Sequence, residues 1–128
     1  MSSELPLTCA TYVRTATQDG IAEQRTLCCG FVEEHANAGL TLIDEYVDER
    51  VSGLSEDRPQ LQRLLDDAEA GRITVLVVAD LPRLSRDQIQ LVRLLDQLQG
   101  LGVRVLSIGD GFCTDPELSR TLFGQSGN

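Results

Sequence analysis

The chain has 128 residues, enough for one domain with a single core. It is 41% hydrophobic but has only three Phe, two Tyr and no Trp, so that core must be aliphatic. Twenty acidic residues against eleven basic ones, all Arg, give a net charge of −9, which argues against unaided, non-specific DNA binding, because phosphate neutralisation supplies most of that affinity. A local cluster of arginines remains compatible with that charge.

Thr8 to Arg14 (TCATYVR) reads as a first strand. Ala16-Thr17-Gln18-Asp19-Gly20 is a turn and helix-start cluster. Ile21 to Asn37 follows as a helix whose apolar positions Leu27, Cys28, Phe31 and Val32 recur at helical spacing, with Gly39 as its stop. Leu40 to Tyr46 is a second strand, and Asp48 to Glu56 (DERVSGLSE) a polar loop. Asp57 reads as an N-cap, with Gln60 at capping-box spacing and Pro59 in the first turn. That helix runs to about Ala70, burying Leu61, Leu64, Leu65 and Ala68.

The third strand, Thr74 to Ala79, contains Val75-Leu76-Val77-Val78, a run without polar alternation, as expected of a strand covered on both faces of a parallel sheet. It leads directly into a loop carrying Arg83 and Arg86. Ser85 and Gln88 form a second capping-box pair, and a helix to Gln99 turns Leu91, Val92, Leu95 and Leu98 inward. Val103 to Ile108 is a fourth strand, Gly109-Asp110-Gly111 a turn, and Pro116 to Phe123 a short last helix. The alternation predicts an α/β fold of three layers, α/β/α, around a mostly parallel central sheet of four to five strands. In such sheets ligands sit beyond the carboxyl ends of the strands. Arg14, Arg83 and Arg86 fall there, so an anion site is expected at that end.

Cys9, Cys28, Cys29 and Cys113 form no CxxC pair and His35 is the only His, so neither a metal nor another cofactor is expected. The cysteines read as small apolar residues in a reduced compartment. Met1 to Leu7 contains a Glu, a Pro and no basic residue, unlike a signal peptide, and no apolar run reaches transmembrane length. The expectation is a cytoplasmic protein without membrane contact.

Several segments, in order and at fitting spacing, resemble one known family. Tyr12-Val13-Arg14 resembles a Tyr-x-Arg at the end of the first strand, with Gln24 at the matching helix position. Asp48 to Gly53 (DERVSG) resembles an Asp-x-x-x-Ser-Gly loop, and Asp57-Arg58-Pro59 an Asp-Arg-Pro helix start. Leu81-Pro82-Arg83-Leu84-Ser85-Arg86 resembles Leu-Asp-Arg-Leu-Ser-Arg. Together they are similar to the catalytic domain of serine site-specific recombinases, the resolvase/invertase group, over roughly Thr8 to Arg120. The resemblance implies the resolvase catalytic-domain fold, DNA as partner, and strand exchange without metal through a phosphoserine link. It also implies an arginine cluster that stabilises charge on the phosphorus oxygens. Here the cluster would be Arg14, Arg58, Arg83 and Arg86, with Gln24 and Ser52 beside it.

The chain departs from that pattern at two decisive positions. The nucleophile of Tyr-x-Arg-x-Ser is replaced by Ala16, and a methyl group cannot attack phosphorus. The acid before the third arginine is replaced by Pro82, which biases Leu81 towards extended geometry. Substitutes are Thr17, if the chain turns there, and Asp80, two residues before Pro82. The expected domain content is one resolvase-like catalytic domain over residues 1–128, ending at the start of the family's long C-terminal helix, with no DNA-binding domain.

The resulting expectation is a catalytically inactive recombinase homologue whose arginine pocket still binds phosphate or DNA backbone. Alternatives are a module that pairs as a homodimer or with an active recombinase, strand exchange through Thr17 or a partner subunit, and a decaying gene fragment.

Overall fold

In a computed structural model, which describes residues 7–15, 20–49 and 58–124, the apolar run at the centre of the sequence is a strand buried along its whole length. Among the described residues there are five strands: β1 (Leu7–Thr15), β2 (Leu40–Glu49), β3 (Val75–Val78), β4 (Arg104–Ser107) and β5 (Phe112–Cys113). They form one sheet in the order β2-β1-β3-β4-β5, parallel except for the β4–β5 pair. The helices are α1 (Ile21–Glu34), α2 (Pro59–Glu69), α3 (Gln88–Gly100) and α4 (Pro116–Phe123).

Strand alternation divides the interior into two cores. Ala10, Tyr12, Leu76 and Val78 point to one face, where they meet Leu61, Leu64 and Ala68 of α2 and Leu94 and Leu98 of α3. Cys9, Val75 and Val77 point to the other, against Cys28 and Val32 of α1 and Leu118 and Leu122 of α4. This is the expected three-layer α/β/α arrangement. Fully burying a Leu such as Leu64 contributes about 2 kcal/mol.

Details differ from the sequence reading for physical reasons. α1 stops at Glu34 and is followed by a separate 3-10 turn, Ala36–Ala38. The buried face of α1 is Gln24, Cys28 and Val32, spaced by four, so Leu27 is 46% exposed. On α3 Leu94 and Leu98 are buried and Leu91 and Leu95 pack against the same core, while Val92 is 57% exposed. Ser85 is not a helix cap: Asp87 accepts the Ile89 and Gln90 amides at 2.9 and 3.2 Å, which starts α3 later than the Ser85–Gln88 spacing suggests. β5, two residues long, escapes any periodicity argument, and it pairs antiparallel with the end of β4. The turn between them needs Gly109, because a Cβ there would lie 2.8 Å from the Ala79 carbonyl oxygen, to which its own amide donates at 2.7 Å.

All four cysteines are free thiols. Burial pushes Cys9 up to about 11 and Cys28 up to about 12, and also raises Cys113. Cys29 is only partly buried, although burial and the Glu45 carboxylate raise it too. Native alkylation at neutral pH is therefore expected to label Cys29 first and the others only on unfolding. Mass mapping that finds Cys9 or Cys28 modified as early as Cys29 would contradict this packing.

Candidate functional site

The site originates in uneven strand pairing. β1 pairs with β2 over its whole length, Leu7 to Thr15, but with β3 only from Cys9 to Thr11. Its carboxyl half therefore has β2 on one side and a gap on the other. β1 is also where the strand order reverses, the position at which open α/β sheets place ligands. Past β3 the chain extends through Asp80 and enters a 3-10 turn, Leu81–Arg83.

Arg14 spans the gap. Its side chain is buried, its Nε donates to the Arg83 carbonyl at 3.0 Å, and its Nη2 donates to the Pro82 carbonyl at 2.9 Å. Arg58, the residue just before α2, is also buried, and its guanidinium donates to the Leu84 carbonyl. Two buried guanidinium groups thus hold three consecutive carbonyls, of Pro82, Arg83 and Leu84. Pro82 fits the turn because its missing N–H falls in a first helical turn, where no partner is needed. The extended geometry expected at Leu81 falls instead on Asp80, at φ −158° and ψ 164°.

Gln24, in the first turn of α1, is buried and donates from Nε2 to the Arg14 carbonyl at 3.2 Å. Arg83 reaches towards the same oxygen, with Nη1 at 3.5 Å. Burial holds the Arg14 guanidinium below the usual arginine range; the nearby Tyr12 phenol acts against this, and the like charges of Arg58, Arg83 and Arg86 add to it. The four arginines therefore act on one volume, and arginine stays charged in proteins. A cluster of like charges in a chain of net charge −9 is stabilised by any anion that enters it.

The support for Arg58 comes from Asp48, which the sequence reading placed in a loop. It lies instead within β2, buried, two residues beyond Tyr46 and so on the same face. Its Oδ1 accepts the Gln60 amide at 3.0 Å, and its Oδ2 accepts the Leu61 amide at 3.0 Å and the Tyr12 hydroxyl at 2.8 Å. Arg58 at the N-cap position supplies no side-chain cap, so Asp48 caps α2 from a distant point in the chain. Burial raises the Tyr12 phenol well above its usual range and the Asp48 hydrogen bond adds to this, while Arg58 acts in the opposite direction. The Tyr46-Val47-Asp48 alternation was the available signal for Asp48.

Of the expected site residues, Arg14, Arg58, Arg83, Arg86 and Gln24 come together. Arg86 is exposed, while Arg83 is partly exposed. Ala16, Thr17 and Ser52 lie outside the described residues, as does the Asp57 cap. Ser85 is buried and joins the same loop to α3, donating to Gln90 Oε1 at 2.9 Å. Among the described residues no group of three or more His, Cys, Asp or Glu side chains is arranged to hold a metal, and no helix is long and apolar enough to cross a membrane.

The arrangement offers preorganised guanidinium groups at the carboxyl ends of the strands, which suits a tetrahedral oxyanion such as phosphate. A family profile described as "Resolvase, N terminal domain" matches residues 9–126. Among solved structures, the N-terminal catalytic domain of TP901-1 integrase is similar with a TM-score of 0.76 at 25% identity, over 91% of this chain and 88% of that one. The C-terminal catalytic domain of ISC1926 TnpA, an IS607-like serine recombinase, gives 0.70 at 18% identity, covering 79% and 68%. A resolvase-family site-specific recombinase from Streptococcus pneumoniae gives 0.67 at 22%, covering 92% and 84%. A search of curated proteins finds no match.

Proposed function

The chain belongs to the resolvase family of serine recombinases through the family's N-terminal catalytic domain, and on that premise we propose that it binds the phosphate backbone of DNA without cutting it. The observation that carries this reading is the convergence of Arg14, Arg58 and Arg83 about the 82–84 turn, with Arg86 two residues beyond it, in a chain with alanine at position 16. The arginines supply what a phosphodiester needs in order to be held. The residue that would attack phosphorus has no hydroxyl. Arg14 and Arg58 act mainly as braces for the 82–84 turn, and the more exposed Arg83 and Arg86 make the contact. Thr17, Ser52 and Asp80 take no part in chemistry in this reading. The chain acts through this resolvase-like domain, pairing with another copy or with an active relative.

The test is a titration against a short generic duplex across a range of salt. The natural chain is expected to bind weakly at low salt. The Arg83→Ala/Arg86→Ala variant is expected to flatten the log–log salt slope by about two, close to one per lost phosphate contact. Denaturing electrophoresis after incubation with a nicked-site substrate is expected to show no covalent adduct. An adduct mapped to this chain overturns the proposal, as does DNA binding unaffected by the double substitution.

A further inference from the structure

The turn that presents Arg83 also carries an acid of its own. Asp80 occupies the N-cap position of the 3-10 turn in extended geometry, yet its side chain caps nothing. Its Oδ1 faces Arg83 Nε at 3.5 Å. That distance is within charge attraction, but neither atom has a hydrogen-bonding partner among the described residues, although both are shielded from solvent. The two side chains are otherwise 38% and 35% exposed. The facing atoms are therefore dry while the rest of each group reaches water. The neighbouring acid, Asp110, is differently engaged: its Oδ2 accepts the Leu81 amide at 3.1 Å and the Ser107 hydroxyl at 2.6 Å, pinning the start of the turn.

We infer that Asp80 is an internal counter-ion for Arg83, standing where a bound phosphate oxygen would stand and lowering the affinity of the arginine site for DNA backbone. The inference rests on the reading of that site as a phosphate-binding one. A poorly aligned pair is suited to this role. A carboxylate locked in a forked, fully aligned bond would remove Arg83 from use, whereas one held only by charge can be displaced by a doubly accepting phosphate.

The experiment compares the natural chain, Asp80→Asn, Arg83→Ala and the Asp80→Asn/Arg83→Ala double variant, titrated with a labelled generic duplex at low salt. Asp80→Asn keeps the shape and loses the charge, and it is expected to tighten binding about two- to fivefold, the range of a partly exposed ion pair. In the Arg83→Ala background the same substitution is expected to change nothing. If Asp80→Asn fails to tighten binding, or its gain persists in full without Arg83, the counter-ion role is overturned while the phosphate site stands. If neither the natural chain nor Asp80→Asn binds at the lowest salt, the phosphate-site reading itself has failed, and this inference with it.

Discussion

Asp48→Ala is expected to lower stability by about 2–4 kcal/mol, one of the two largest effects of a single change at the site. Two losses add. The amides of Gln60 and Leu61 lose their acceptor, a helix-cap loss of about 1 kcal/mol. The buried Tyr12 hydroxyl loses its Asp48 acceptor, and a buried donor left unsatisfied costs about 1–3 kcal/mol. Urea denaturation reads the result as a midpoint lowered by roughly 1–2 M at an unchanged slope. Asp48→Asn should fall between, because an amide offers one acceptor oxygen where three donors converge. Tyr12→Phe should lose only about 1 kcal/mol, since the carboxylate keeps both helix amides. If Asp48→Ala and Tyr12→Phe shifted the midpoint equally, the cap would be of no consequence and the start of α2 would be held by something else.

Arg14→Ala is expected to cost a similar amount, about 2–4 kcal/mol, from the loss of two charge-assisted bonds to the Arg83 and Pro82 carbonyls. It is expected to remove duplex binding as well, because the turn carrying Arg83 would lose its brace. Arg14→Lys separates charge from geometry. A lysine keeps the positive charge but is a point donor without the planar fork. A denaturation midpoint near that of Arg14→Ala would show that the fork matters; one near the natural chain would show that charge alone suffices. Arg86→Ala is the reference, since its exposed side chain predicts a changed salt slope at an unchanged midpoint.

Most of the fold was legible because β3 and its neighbours have unambiguous chemistry. Val75 to Val78 can only be a strand buried on both faces, and the glycines at 39, 71 and 102 punctuate the chain. What was not legible depends on distance. Asp48 caps a helix twelve residues further on, a separation that local spacing rules do not reach. The exposure of Leu27 and Val92 depends on how each helix is rotated against the sheet, which residue spacing alone does not determine. At the site, the grouping of the arginines could be read from strand ends and from family resemblance. Their division into the buried Arg14 and Arg58, which hold carbonyls, and the more exposed Arg83 and Arg86 could not, because it depends on backbone oxygens of one turn.

The fork between β1 and β3 also bears on how such a domain changes under mutation. The sheet is joined through main-chain groups that every residue but proline carries, so most single substitutions leave its pairing intact. The gap is bridged by side chains, Arg14 above all, and each of those is one codon change from loss. Shape and chemistry are thus stored in different parts of the polypeptide. A lineage carrying this architecture can change the side chains at its site one at a time while the scaffold persists and remains open to selection for another use.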